Sequence, residues 1–146
     1  MLRVVAAAAL VGGVLSACSS SNGTGPGGGN VPDLAGTWNL VSLDIGATGQ
    51  PLTPPEATGT FSFTADSVTV DLAIASPPAP APIAIQGKGS YALTPTTISI
   101  NSNALLLGQA SGSYTYVARP SAGVADTLKA SLVSQGTPID VVVVRP

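Results

Sequence analysis

Short segments in which every second residue is apolar recur along the chain between residues 34 and 146. Phe61 and Phe63 alternate with hydroxyl-bearing residues, and so do Val68 and Val70. Successive side chains of a β-strand point to opposite faces, so this period of two is typical of strands with one face on a core and one in water. Clusters of turn-forming residues separate the segments. No segment has the period of an amphipathic helix.

The alternating pattern predicts eight strands. They cover residues 36–45, 57–64, 67–75, 83–93, 96–101, 111–118, 125–133 and 138–145. Many short strands at nearly regular spacing predict an all-β domain, either a small antiparallel up-and-down β-barrel or a β-sandwich. Charged residues make up only 8% of the 146 residues, so Ser and Thr must provide most of the polar surface. Thr favours the solvent face of strands, which agrees with an all-β domain.

Three places within this domain depart from simple strand alternation. Residues 77–82 alternate Pro with Ala and predict a stiff polyproline II connection. Residues 103–108 are apolar between turn formers, and they predict either a short extra strand or a lid. Gly87 and Gly89 lie within a predicted strand, where glycine marks a bend or a close approach of backbone.

The first seventeen residues have the layout of a secretory signal. One arginine, Arg3, precedes an apolar run from Val4 to Leu15, which is shorter than the roughly 20 residues that a membrane-spanning helix needs. Two small residues, Ser16 and Ala17, then lead to Cys18, the single cysteine of the chain.

The stretch Leu15-Ser16-Ala17-Cys18 resembles the lipobox of bacterial lipoproteins. The resemblance implies that residues 1–17 are a lipoprotein signal peptide and that the Cys18 thiol receives a diacylglyceryl group. The freed amine would take a further acyl chain such as palmitate. Two or more chains anchor a protein stably to a bilayer. The alternative is an ordinary secretory signal beside a cysteine.

The lipobox resemblance also bears on location. Ser19 follows the cysteine, whereas Asp at that place signals inner-membrane retention in some bacteria. We therefore expect lipid anchoring in the bacterial cell envelope, at the outer membrane. Residues 18–33 are rich in Gly and Ser and predict a flexible linker with a span of roughly 20 Å. Within it, residues 19–30 have no apolar side chain to bury and too much glycine to become ordered.

The opening of the domain, Gly36-Thr37-Trp38, resembles the first strand of lipocalins and of bacterial lipocalin-like domains. A Thr/Ser-Phe repeat follows at residues 59–64, as in those domains. The resemblance implies a lipocalin-like barrel over residues 34–146. It implies that Gly36 lets the chain turn into the barrel, that Trp38 closes one end, and that Arg145 packs over the indole. The predicted domain is shorter than a typical lipocalin and lacks the C-terminal helix.

Several function classes find little support in the composition. The chain has no histidine, so Ser-His catalysis and imidazole-based zinc sites are unavailable. Lys and Arg are scattered rather than clustered, which argues against nucleic-acid binding. Asp66 and Asp71 are interpreted as solvated carboxylates on or beside a strand. We therefore predict no enzyme, no catalytic or metal site and no cofactor.

Two functions remain, with an enzyme that uses Ser/Lys or carboxylate chemistry as a distant third. In the first, the lipid-anchored barrel binds a small hydrophobic ligand. The residues predicted to line its cavity are Phe61, Phe63, Tyr91, Tyr114 and Tyr116. In the alternative, the core is filled, and the protein is a structural or interaction lipoprotein whose Ser/Thr face or proline-rich loop contacts unidentified envelope partners. Eight-stranded barrels occur with either interior, so the interior volume distinguishes the two functions.

Overall fold

A computed structural model describes residues 31–75, 81–119 and 125–146 of the chain. These residues form eight strands: β1 (Gly36–Ile45), β2 (Ala57–Phe63), β3 (Ser67–Ile74), β4 (Ile83–Leu93), β5 (Thr97–Ser102), β6 (Gln109–Val117), β7 (Asp126–Ser134) and β8 (Thr137–Arg145). Each bound lies within two residues of its predicted position. Within the described ranges, no helix is long and apolar enough to cross a membrane.

The eight strands form one closed antiparallel barrel in which each strand pairs with the next along the chain. β8 returns to pair with β1, where Leu43 lies opposite Val141 and Ile45 lies opposite Ile139. The prediction of an all-β up-and-down barrel is therefore confirmed, and the β-sandwich alternative is wrong. Closure pairs the strand edges that a sandwich would leave open.

Alternation along each strand separates the barrel interior from its outer wall. On β7, Leu128, Ala130 and Leu132 are buried, whereas Lys129 and Ser131 between them are exposed. The inward residues of all eight strands join in one hydrophobic cluster. The period-two pattern of the sequence therefore places the core inside the barrel.

The two ends of the barrel differ. We call the end that carries residues 31–36, the turns at 64–67 and 94–97, and Arg145 the closed end. The other end, the mouth, carries the β1–β2 loop, the β5–β6 loop at residues 103–108, and the β7–β8 turn at Gln135 and Gly136. β3 ends and β4 begins at the mouth, but most of the predicted polyproline segment falls in residues 76–80, outside the described ranges.

The residues at three of the hairpin turns suit the turns that they form. Gln135 and Gly136 have φ values of 51° and 82°, which is the type I′ geometry preferred by two-residue hairpins. At the closed end, Thr64 pairs its hydroxyl with that of Ser67 at 2.6 Å, and Thr94 does the same with Thr97 at 2.6 Å. These side-chain bonds hold the two turns in the same way.

Candidate functional site

The indole of Trp38 lies in the core at the closed end. The side chain is fully buried at 0% exposure, and its Nε1 donates a 2.8 Å hydrogen bond to the carbonyl oxygen of Leu34. A buried indole N–H needs such a partner. The bond ties the segment that precedes β1 to the barrel, so the chain enters the domain at this end.

Arg145, at the end of β8, lies over that indole. Its Cζ is 4.8 Å from the centroid of the Trp38 ring, which is the geometry of a cation–π contact. Its Nη1 donates a 2.8 Å hydrogen bond to the Ala35 carbonyl. A Cβ on Gly36, whose φ is 126°, would lie 3.4 Å from the Cδ of Arg145. The structure thus brings Gly36, Trp38 and Arg145 together at one end of the barrel.

The sequence did not identify Asp126 as the anionic partner of this arginine. Oδ2 of Asp126 lies 2.5 Å from Nη2 of Arg145, and Oδ1 accepts the backbone N–H of Arg119 at 2.7 Å. These bonds, with the Arg145 contact foremost, hold the pKa of Asp126 below its usual value. Burial raises the pKa of Tyr116, which donates a 3.2 Å bond to the same carboxylate. With its oxygens so occupied, this carboxylate serves to hold the closed end together.

Two of the tyrosines predicted to line a ligand cavity tie turns at the closed end. The hydroxyl of Tyr91 donates to the Thr64 carbonyl at 2.8 Å, and the hydroxyl of Tyr114 donates to the Thr94 carbonyl at 2.8 Å. Burial is the main cause that raises the pKa of each phenol. Each tyrosine thus reaches from one hairpin to the turn of the preceding hairpin.

The void at the waist of the barrel is far smaller than a ligand site. Phe61 and Phe63 border it, together with apolar residues of β5, β7 and β8, whereas Tyr91, Tyr114 and Tyr116 do not. Its volume is about 20 Å³, enough for about one water molecule, and it has no polar lining. Ligand pockets measure about 300–1,000 Å³. The five predicted lining residues therefore surround packed core rather than an open cavity.

The β5–β6 loop at residues 103–108, which we call the plug loop, fills the mouth of the barrel. Its sequence predicted an extra strand or a lid; it is a loop that covers the interior. Ala104 and Leu107 are both only 3% exposed and belong to the core. Beneath Leu107 remains a void of about 10 Å³. A Cβ on Gly87 would overlap the backbone of Ala104, so this glycine makes room for the plug loop.

Hydrogen bonds hold the plug loop to the wall. The Asn103 N–H donates to the Lys88 carbonyl at 3.0 Å, and the Asn103 side-chain oxygen accepts the Lys88 N–H at 2.7 Å. The Ser102 hydroxyl donates to the Leu107 carbonyl at 2.8 Å. The Leu107 N–H donates a 3.3 Å hydrogen bond to the Ala104 carbonyl. This bond closes a turn in which Leu106 has a φ of 72°.

A cleft lies on the outer side of the plug loop, between that loop and the β7–β8 hairpin. It is half open to solvent and has a volume of about 410 Å³. Leu105, Leu106 and Ile139 form its apolar part, whereas Ser134 and Thr137 contribute hydroxyls. Three consecutive leucines in a predicted loop are the one sign of this cleft that the sequence contains. Nothing in the alternation indicated that the β7–β8 hairpin would face them.

The groups considered for unusual catalysis lie apart from that cleft. Lys88 and Asp71 face outward from β4 and β3, and the Asp71 carboxylate accepts a 2.9 Å bond from the Gln86 amide. Lys129 faces outward from β7, and Asp66 is exposed in the turn before β3. Among residues 31–75, 81–119 and 125–146, no group of three or more acidic or cysteine side chains is placed to hold a metal ion.

The outer wall of β5 and β6 carries no charge. Apart from Val117 at the end of β6, the side chains that face solvent there are hydroxyls and amides, such as Ser99 opposite Ser111 and Asn101 opposite Gln109. Cys18, the predicted signal peptide (residues 1–17) and the predicted linker as far as residue 30 lie outside the described residues. No family model, no curated protein and no solved structure matches the chain.

Proposed function

We propose that this chain is a bacterial envelope lipoprotein, held at the outer membrane by an acylated Cys18, whose lipocalin-like barrel is a rigid interaction domain with a filled core. The observation that carries the choice is the interior void of about 20 Å³. A barrel that carried a small hydrophobic ligand inside would need a cavity more than tenfold larger. The ligand-binding alternative is therefore less well supported.

Several features support the anchoring part of the proposal. The apolar run and the Leu15-Ser16-Ala17-Cys18 stretch have the lipobox pattern, and a Gly/Ser-rich segment follows them. The chain enters the barrel at the closed end, where Trp38 bonds to Leu34. A tether at that end would leave the mouth about 25 Å farther from the bilayer, given strands of about ten residues tilted by about 40°.

Packing at the closed end supports the lipocalin-like part. The Gly36, Trp38 and Arg145 arrangement is the one that the resemblance implies, on an eight-stranded up-and-down barrel. Catalysis is not part of the proposal, because the chain has no histidine and its lysines face outward from separate strands.

The anchoring claim is tested on the protein purified from membranes of a bacterial host. We expect mass spectrometry to find a mature chain that begins at Cys18 and carries acyl chains. The Cys18→Ala variant should keep residues 1–17 or appear as a soluble protein, whereas Ser19→Ala should behave as the wild type does. A Cys18→Ala variant that is processed normally and stays in the membrane contradicts the proposal.

The filled-core claim has its own test. Native mass spectrometry of the same preparation should show the lipidated chain without a further stoichiometric small molecule. A hydrophobic compound that co-purifies and depends on Phe61 and Phe63 would restore the ligand-carrier function. Replacing Val117, an exposed apolar residue that is outside that void, serves as the control.

A further inference from the structure

The outer wall of β6, β7 and β8 carries apolar and basic side chains near the closed end, whereas its carboxylate, Asp140, lies nearer the mouth. We propose that the closed-end half of this wall rests on the anionic surface of the bilayer that holds the lipid anchor. This half, which we call the basal face, consists of Val117, Thr127, Lys129, Val142 and Val144. The inference rests on the proposed anchoring and deepens it, because it assigns the side of the barrel that contacts the membrane and the lipid charge that this side recognises.

Strand register places the valines and the lysine of the basal face side by side. Thr127 lies opposite Val117 on β6 and opposite Val144 on β8. Two residues farther along β7, Lys129 lies opposite Val142. Val117 is 50% exposed and Lys129 is exposed, while Val142 and Val144 are partly exposed. Aliphatic side chains beside a cation suit an anionic bilayer, because apolar groups enter the headgroup boundary and cations are attracted to anionic lipids.

Charged side chains divide this wall between its two ends. Lys129 is the charged member of the basal face, and the exposed Arg119 follows β6 at the same end. Asp140 lies opposite Ser131 on β7 and opposite Asp44 on β1, and both carboxylates are nearer the mouth than Lys129 is. Exposed charges are screened beyond roughly 8 Å, so an anionic surface acts mainly on the end that lies against it. Attraction therefore favours contact through the closed-end half.

The opposite side of the closed end carries acidic side chains instead. β4 lies four strands from β8 in either direction around the barrel. The N–H of Tyr91 on β4 donates a 3.1 Å hydrogen bond to the carbonyl of Asp66, which is exposed in the β2–β3 turn. Burial raises the pKa of the Tyr91 phenol, and the nearby charges of Asp33 and Asp66 raise it further. An anionic bilayer would repel this side, so the β6–β8 side is the one that suits contact.

The proposed tether makes a weak contact sufficient. Residues 18–33 predict a flexible span of roughly 20 Å, which ends where Trp38 bonds to Leu34 at the closed end. The basal face lies at that same end, so an anchor on Cys18 would hold it within reach of the headgroups. Linking two binding elements by a short flexible chain makes the second contact intramolecular, at an effective concentration in the millimolar range. The basal face therefore need not bind a bilayer from solution.

The test uses the full chain, purified from bacterial membranes and placed in phosphatidylethanolamine–phosphatidylglycerol nanodiscs, with valine and alanine methyl groups labelled for NMR. A lipid with a nitroxide on its headgroup broadens the signals of methyl groups that approach the bilayer. We expect the methyl signals of Val117, Val142 and Val144 to broaden more strongly than those of two controls. Val133 on β7, 51% exposed, controls for distance from the closed end. Ala92, exposed on β4 beside the turn at 94–97, controls for the side of the barrel.

Matched lysine variants identify the charge that the bilayer attracts. Lys129→Gln should lower the ratio of membrane-bound to free orientations about fivefold, which is the effect of one cation near an anionic surface. Lys88→Gln, at an exposed lysine on β4, should behave as the wild type does. Replacing phosphatidylglycerol by phosphatidylcholine should weaken the broadening in the wild type and have a smaller effect in Lys129→Gln. The indole N–H signal of Trp38 reports whether each variant keeps its fold.

Three results would overturn the inference while leaving the anchor intact, provided that mass spectrometry finds the chain acylated and it stays in the nanodiscs. One is equal broadening of Val144 and Ala92. Another is broadening at Val117 that is unchanged in Lys129→Gln. The last is a basal face whose signals shift with protein concentration but are not broadened by the nitroxide lipid, which would assign the face to a second copy of the chain. A chain without acyl groups that leaves the nanodisc fraction would contradict the proposed function and this inference together.

Discussion

Ala104 occupies the space that a side chain on residue 87 would need. A Cβ placed on Gly87 would overlap the backbone nitrogen, the Cα and the Cβ of Ala104. Gly87 lies within β4, whereas Ala104 belongs to the plug loop between β5 and β6. Because residue 87 has no side chain, the plug loop can pack against β4 and fill the mouth, which leaves the interior packed.

The contact between Gly87 and Ala104 predicts that even one added methyl group at residue 87 destabilises the barrel. Gly87→Ala should displace the plug loop and lower the free energy of unfolding by about 1–3 kcal/mol, as overpacked cores do. Urea unfolding measures the loss, and faster amide exchange at Leu107 locates it. Gly108→Ala is the control, because its nearest neighbour would be in ordinary contact at 3.6 Å. Equal stability of Gly87→Ala and the wild type contradicts this reading.

Neighbouring leucines of the plug loop should differ sharply. Leu107, 3% exposed, fills the mouth, so Leu107→Ala should cost about 2–4 kcal/mol of unfolding free energy. Leu105 is 63% exposed, so Leu105→Ala should lower the free energy of unfolding by no more than about 0.5 kcal/mol. Urea unfolding provides the comparison: the midpoint concentration should shift, whereas the slope of the unfolding free energy against urea concentration should stay the same. Similar losses for the two variants would mean that the loop does not plug the barrel.

Arg145 should be hard to replace even by another cation. Lysine keeps the charge but loses the planar group that contacts Trp38, Asp126 and the Ala35 carbonyl together. We expect Arg145→Lys to lower the free energy of unfolding by about 1–3 kcal/mol and to alter the fluorescence of Trp38. Arg119→Lys is the matched control, since Arg119 contributes a backbone N–H to Asp126. A wild-type melting profile for Arg145→Lys would show that the contact is not stabilising.

Two carboxylates should make the barrel sensitive to acid. Hydrogen bonds from Arg145 lower the pKa of Asp126, and those from Thr48 and Gly49 in the β1–β2 loop lower the pKa of Asp44 near the end of β1. A lowered folded-state pKa contributes stability that is fully present above the unfolded value, near 3.9, and is lost as pH falls through the folded value. Stability should therefore be flat from neutral pH to about pH 5 and fall below about pH 4.

Variants assign that pH dependence. Asp126→Asn and Asp44→Asn should each give a less stable protein at neutral pH with a shallower loss in acid. Thermal melts between pH 2 and pH 7 measure both quantities. If both variants retained the wild-type slope below pH 4, other groups would be responsible for the acid loss.

Local pattern was enough to predict the strands. The alternation of Leu128, Ala130 and Leu132 with Lys129 and Ser131 places β7 correctly because strand side chains alternate by geometry, whatever the partner strand is. The contact of Arg145 with Trp38 was expected only through the lipocalin resemblance. Its anionic partner Asp126 was not expected, because nothing local relates residues 126 and 145.

The sequence by itself determined the all-β class, the strand bounds and the turn positions, since these depend on side-chain period and backbone preference over a few residues. Only the tertiary structure decided that the barrel closes, that Ala104 packs against Gly87, and that Ser134 faces Leu105 across a cleft. Those outcomes depend on how much volume the inward side chains and one loop fill together. Whether a barrel is hollow or packed depends on the summed volume of side chains that are far apart in the chain, so no short segment can show it.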